Sequence, residues 1–243
     1  MPLLQSGMHV HLVGIGDIGL SAIARVLHGW GYQVSGSDQQ SSALTDTLAA
    51  EGITIYQGHH ADHVSGTDII VVSSAVPADN PELVAGRGRG VPVVKREQFL
   101  GELTADKTTI AVAGTHGKTT TSAMIAWILA QASLDPTFIV GGVLQNLGSN
   151  ARAGEGSHFV IEADDYDRAF LGLHPIVAVV TTLEHDHPDC YPTFDDMRQA
   201  FTTFVGQVME EGLLVVCGVA LEHHNADRRA VDRPTRNVGE RSL

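Results

Sequence analysis

The stretch Thr109-Ile110-Ala111-Val112-Ala113-Gly114-Thr115-His116-Gly117-Lys118-Thr119-Thr120-Thr121 decides the fold class. Its first five residues are apolar or β-branched without strict alternation, the pattern of a strand covered on both faces. Lys118 to Gln131 reads as a helix, so Gly114 to Gly117 form the turn between strand and helix. Such a turn offers backbone amides to phosphate oxygens. Lys118 can neutralise a transferring phosphoryl group, and Thr119 can ligate Mg2+. The general nucleotide loop carries glycine where this chain has Val112, so the loop is a variant.

Downstream of this loop, apolar runs recur at Phe138 to Val140, Phe159 to Ile161, Ile176 to Val180 and Leu213 to Cys217, as expected for further strands of the same parallel sheet. Thr193 is placed to cap a helix over Phe194 to Met209, with Gly212 ending it. Two polar clusters follow strands. Glu162-Ala163-Asp164-Asp165-Tyr166-Asp167 puts hard oxygen donors at the carboxyl end of one, where α/β sheets bind ligands. Thr181-Thr182-Leu183-Glu184-His185-Asp186-His187 follows another. Imidazole is unusual for Mg2+, and by itself this cluster suits zinc or a solvated loop. Loops ending neighbouring strands converge, which brings a shared metal-nucleotide site into view.

Upstream, short apolar runs alternate with amphipathic stretches, the pattern of a doubly wound α/β unit. Strands are expected at His9 to Val13, Tyr32 to Ser35, Ile53 to Tyr56, Asp68 to Ser73 and Val91 to Val94, and helices at Ile18 to His28 and around Ala43 to Glu51. Between the first strand and helix lies Gly14-Ile15-Gly16-Asp17-Ile18-Gly19, which permits close approach of backbone to a diphosphate. Asp38, ending the second strand, suits ribose hydroxyls, so this loop alone fits an NAD-dependent dehydrogenase. Asp17 puts a carboxylate inside the loop; it has to point away from a bound anion or weaken the site. Polar residues 103–107 mark a domain boundary before Thr109.

Composition narrows the choice. The 243 residues, 43% hydrophobic, can fill two ordinary cores. With 28 Asp and Glu against 15 Lys and Arg, the chain lacks the basic footprint of a nucleic-acid binder. The two cysteines, Cys190 and Cys217, have no metal-type pairing and suit a reducing compartment. No basic n-region precedes a signal-length apolar run, and no run reaches the ~20 residues of a membrane span. The expectation is a cytoplasmic protein without membrane insertion.

Taken together, Gly14 to Gly19, Ser73-Ser74-Ala75 with Asp79-Asn80-Pro81, Gly114 to Thr121, Glu162 to Asp164 and the His187 loop resemble the Mur ligase family, over roughly residues 8 to 218, and within it the branch that adds L-alanine. The resemblance implies a Rossmann-like N-terminal domain (residues 1–104) that binds a UDP-sugar, followed by part of a P-loop ATPase α/β domain (residues 105–218). It implies an enzyme of bacterial cell-wall synthesis that phosphorylates the carboxylate of UDP-N-acetylmuramate with ATP, so that the amino group of L-alanine attacks the acyl phosphate. Gly14, Gly16 and Gly19 would hold the UDP diphosphate, with Ser37, Asp38, Ser73 and Ser74 around the nucleotide sugar. Gly114, Thr115, His116, Gly117, Lys118, Thr119 and Thr120 would bind ATP, and His116 would touch substrate. Thr119 and Glu162 would bind one Mg2+ and His187 a second, with Lys118 and His187 in catalytic roles. Tyr166 and Leu183-Glu184 resemble instead a relative that attaches a tripeptide to the same sugar nucleotide, and a non-catalytic UDP-sugar-binding module is a further alternative. Residues 219–243, with five arginines and little apolar periodicity, are expected to be a disordered tail in which His223 and His224 are solvated; a chain so composed is expected to bind UDP-sugar without completing ligation.

Overall fold

A computed structural model describes residues 4–217. The expectations for residues 219–243, including His223 and His224, fall outside them. The first unit runs β1 (His9–Val13), α1 (Ile18–Gly29), β2 (Gln33–Asp38), α2 (Ala43–Ala50), β3 (Thr54–Gln57), a 3-10 turn (Ala61–Val64), β4 (Ile69–Val72), α3 (Pro81–Gly88), β5 (Val93–Lys95) and α4 (Arg96–Thr104). Its five strands are all parallel in the order β3-β2-β1-β4-β5. The second unit runs β6 (Thr108–Ala113), α5 (Lys118–Gln131), β7 (Thr137–Leu144), β8 (Ser149–Arg152), β9 (His158–Glu162), a 3-10 segment (Tyr166–Gly172), β10 (Val177–Val180), α6 (Phe194–Gly206) and β11 (Leu213–Val216). Its order is β11-β10-β6-β9-β7-β8, parallel except for the β7–β8 pair.

Every strand expected from apolar runs is present, within a few residues at each end. Chain chemistry accounts for the helix starts. Thr193 and Asp196 form a reciprocal capping box at α6, and Ser42 with Thr45 does the same at α2. Asn80 accepts from the amide of Glu82 while Pro81 occupies the first turn of α3, so the α3 start was written in the sequence. Val112 lies inside β6, paired with Val179 and Glu162, which is why glycine is not needed there.

One continuous core joins the two units. Helix α1 packs on the first sheet and its C-terminal end also meets the second: Arg25 donates to Asn150 Oδ1 on β8 at 3.0 Å, Trp30 sits edge-on to Phe159 on β9, and a Cβ on Gly29 would lie 2.6 Å from that of Ala153. Helix α4 makes the second junction. Gly101 and Gly172 let it run backbone against backbone along the Tyr166–Gly172 segment; a Cβ on Gly172 would collide with the carbonyl of Glu97.

Candidate functional site

The two glycine loops differ sharply in what their amides do. At the first, Asp17 is the N-cap of α1 and accepts from the amides of Gly19 and Leu20 at 2.9 and 3.0 Å. The Gly16 amide donates to Asp38 Oδ2 at 2.9 Å, and the amides of Gly14 and Ile15 donate to the Ser37 carbonyl. Asp17 therefore turns onto the helix, not away from it, and takes the amides a diphosphate would use. Asp38, expected at the ribose, faces Gly16; a Cβ there would lie 2.7 Å from its carboxylate. Ser73 borders the loop, 3.1 Å from where a Cβ on Gly14 would sit, and Ser74 beside it is exposed.

Ser37 is not at the surface. Its side chain is fully buried and donates to Glu82 at 2.5 Å. Ser37 was expected beside the nucleotide sugar; in this fold its hydroxyl is turned to Glu82. Glu82 is itself buried and gathers imidazoles: His63 Nδ1 at 2.6 Å, His59 Nδ1 at 3.0 Å and, at a longer 3.7 Å, His11 Nε2. Burial alone would raise the Glu82 carboxyl. The polar groups facing it from His11, Ser37 and His63 outweigh burial and hold it down at about 2. Tyr56 stacks on His63 with ring centroids 4.2 Å apart.

The second loop is open. No side chain caps α5, so its first-turn amides face outward with the positive end of the helix dipole. Gly117, at φ +82°, turns the chain into that helix. Gly114 has φ +129° and a Cβ there would collide with the Thr181 hydroxyl, which requires glycine twice over. The loop docks on the segment after β10: the Thr115 amide donates to the Thr182 carbonyl at 2.7 Å, the His116 amide to Thr182 Oγ1 at 3.1 Å, and Thr181 Oγ1 donates to the His116 carbonyl at 2.6 Å. The His116 ring is exposed, 3.8 Å from Glu184. Thr120 is exposed on the first turn of α5.

Lys118 Nζ donates to the Gly114 carbonyl at 2.6 Å and to buried Asp165 Oδ1 at 2.7 Å. Asp165 was not singled out from the sequence as a partner for Lys118. The Asp165 carbonyl accepts from the Tyr191 hydroxyl at 2.6 Å, and burial, then the Asp165 charge, raise the Tyr191 phenol well above its ordinary range. Thr119 Oγ1 donates to Glu162 Oε1 at 3.0 Å, and the Gly141 amide donates to Oε2 at 2.6 Å. This hydroxyl and carboxylate are hard oxygen donors adjoining the open helix end, and they fit Mg2+. His187 does not join them. Held in the left-handed region at φ +52°, it lies edge-on to Tyr166, ring centroids 5.2 Å apart, with Nε2 3.8 Å from Asp186. Among the described residues no group of three His, Cys, Asp or Glu side chains is set to hold a metal ion. The structure thus brings together Thr119 and Glu162, expected at one Mg2+, while His187, expected at a second, stands beside Tyr166.

The chain matches the catalytic domain of the Mur ligase family over residues 9–108 and the Mur ligase middle domain over residues 112–233. It belongs to the Mur ligase family. Among curated relatives, this Mur ligase is 50% identical over 210 residues to the UDP-N-acetylmuramate--L-alanine ligase of Chromobacterium violaceum, covering 86% of this chain and 45% of the relative. It is 46% identical over 232 residues to the enzyme of that name from Neisseria gonorrhoeae, covering 95% of this chain and 49% of the relative. The chain spans about half the length of the curated relatives it matches. Among solved structures, it is similar to UDP-N-acetylmuramate:L-alanyl-gamma-D-glutamyl-meso-diaminopimelate ligase from Neisseria meningitides, with TM-score 0.80 and 33% identity over 88% of this chain and 72% of that one. UDP-N-acetylmuramate-alanine ligase MurC from Thermotoga maritima gives TM-score 0.76 and 33% identity over 86% of this chain and 49% of that one. No described helix is long and apolar enough to cross a membrane.

Proposed function

We propose that this chain carries the sugar-nucleotide and ATP sites of a ligase joining L-alanine to UDP-N-acetylmuramate in peptidoglycan synthesis. The observation that carries the reading is the uncapped α5 N-terminus, with Lys118 at its loop and the Thr119–Glu162 pair beside it. UDP-N-acetylmuramate is named for both the curated relatives and the Neisseria structure, which supports the sugar nucleotide. L-Alanine rests on the names of the relatives 46–50% identical to this chain. In this reading residues 1–104 hold the UDP-sugar and residues 105–218 hold ATP.

A carboxylate is a poor acyl donor, and phosphorylation gives it a leaving group for attack by an amine. The protein's share of that step is electrostatic. The α5 amides hold the phosphates in place, and Lys118 leaves Asp165 to meet the charge developing on the transferred group. Thr119 and Glu162 would hold Mg2+, which when bound offsets charge on the phosphates. His116, exposed on the loop, is placed to meet substrate.

Titration calorimetry of the 243-residue chain with UDP-N-acetylmuramate, MgATP and NADH tests the reading. Saturable binding of the first two without NADH binding is expected. NADH binding without UDP-N-acetylmuramate binding refutes it in favour of a dehydrogenase.

A further inference from the structure

Arg96, the first residue of α4, lies between the first glycine loop and the acidic segment after β9, and its guanidinium is 14% exposed. Nη1 is 3.4 Å from Asp17 Oδ1 on the first loop, and Nη2 donates to Asp164 Oδ2 at 3.0 Å on the acidic segment that follows Glu162. The third glycine of the first loop makes room for it: a Cβ on Gly19 would collide with Nη1. That glycine serves a guanidinium lying across the helix end. Asp17, Asp38 and Asp164 are the carboxylates around this point, and Arg96 is the cation that touches two of them. A diphosphate arriving at the first loop meets two carboxylates already on the loop amides. Its approach needs a positive partner, and Arg96 is the one in place.

We propose that Arg96 links the two ligand sites: a sugar-nucleotide diphosphate at the first loop draws the guanidinium from Asp164, and the released carboxylate strengthens Mg2+ and ATP binding two residues away at Glu162. The inference rests on the UDP-sugar reading of the first loop given above. The surroundings favour transmission. Asp164 Oδ1 accepts from the Tyr166 amide at 3.1 Å, at the start of the segment against which α4 packs backbone to backbone. Its neighbour Asp165 holds Lys118. A change at Arg96 therefore reaches the acidic segment through the ion pair and through α4. Linkage requires the effect to be reciprocal, so MgATP tightens UDP-sugar binding by the same factor.

The test is calorimetric titration of MgATP into the full chain with and without saturating UDP-N-acetylmuramate, for wild type, Arg96→Gln, Arg96→Lys and Asp164→Asn. In wild type the sugar nucleotide is expected to tighten MgATP binding at least about five-fold, the lower end of ordinary coupling between sites. Arg96→Gln should weaken UDP-N-acetylmuramate at least about ten-fold, as loss of a charged hydrogen-bonding partner does, and abolish the coupling, with MgATP alone bound about as tightly as wild type binds it in the presence of the sugar nucleotide, because Asp164 is already released. Arg96→Lys, a point charge that cannot span both partners, should keep most of the sugar-nucleotide affinity and lose the coupling. Asp164→Asn should bind the sugar nucleotide at least as well as wild type and also lose the coupling. If Arg96→Gln fails to fold by circular dichroism, the Asp164→Asn and Arg96→Lys results decide. Wild-type coupling in either of these, or two ligands binding wild type without influence on each other, overturns the inference. Absence of any UDP-N-acetylmuramate binding by wild type, with MgATP still bound, is a different result: it removes the sugar-nucleotide reading itself.

Discussion

Glu82→Gln removes the negative charge from a buried site lined by Ser37, His59, His63 and His11, and its cost can be worked from the geometry. The fold holds this carboxyl at about 2 against an ordinary value of 4.5. At about 1.4 kcal/mol for each tenfold change in proton affinity, ionised Glu82 contributes on the order of 3 kcal/mol to stability at neutral pH. The sign follows from the direction of the shift. A depressed carboxyl stabilises fully above pH 4.5, and the contribution is lost as pH falls towards about 2. Urea denaturation of wild type and variant, followed by circular dichroism from pH 8 to pH 4, measures the difference. A gap of about 3 kcal/mol, flat down to about pH 5 and roughly 1 kcal/mol smaller at pH 4, is expected. A gap below about 1 kcal/mol at pH 7, or one that widens on acidification, would refute the reasoning, because the charge would then not be what the cluster stabilises.

Three further outcomes follow from named contacts. Asp165→Asn strips Lys118 of its buried counter-charge and should lower stability by about 3 kcal/mol in the same urea assay. Glu162→Gln should weaken MgATP at least about ten-fold by calorimetry, a loss seen even for outer partners of a metal, while UDP-N-acetylmuramate binding stays at the wild-type level. Gly172→Ala drives a methyl into the Glu97 carbonyl and should cost about 1–3 kcal/mol in thermal or urea unfolding; an unchanged stability would show that α4 can shift away at no expense.

What could be read from the residues, and what could not, divides along physical lines. Buried parallel strands are nearly continuous apolar runs, so β1, β4, β6, β9 and β10 announced themselves. Strand β8, Ser-Asn-Ala-Arg, has no such run and exists because β7 pairs with it. Helix α4 begins at Lys95-Arg96 without a side-chain cap and carries Gly101 in its middle, so its signal was weak; what holds it is packing on the Tyr166–Gly172 segment. The α3 start carries a local signal in Asn80-Pro81, although no helix was expected there. At the site, residue type pointed to groups able to meet phosphate but not to the side chains that occupy the first loop. Nothing in Gly14 to Gly19 said that Asp17 and Asp38 would take the loop amides, nor that Ser37 would turn inward to Glu82. The Asp17 contacts are local, two and three positions along the chain, whereas those of Asp38 and Ser37 depend on residues 22 and 45 positions away meeting in three dimensions. The edge-on packing of His187 on Tyr166, and its left-handed backbone, were likewise not legible from its place in the chain.

Helix α1 serves two masters, and this restricts how the molecule can move. Its inner side is sealed to the first sheet and its Gly29 end to Ala153 and Phe159 of the second, with Lys107 lying over the Trp30 ring 5.3 Å from its centroid. A hinge needs a seam that can open at little cost, and a shared hydrophobic core is the opposite of one. The two sheets consequently travel as a single block. Within the described residues, rearrangement around a bound nucleotide falls to lighter parts, such as the side chains of Lys118 and Arg96 changing partners. The indole of Trp30, wedged into the seam, should accordingly keep the same emission maximum whether ligands are bound or not.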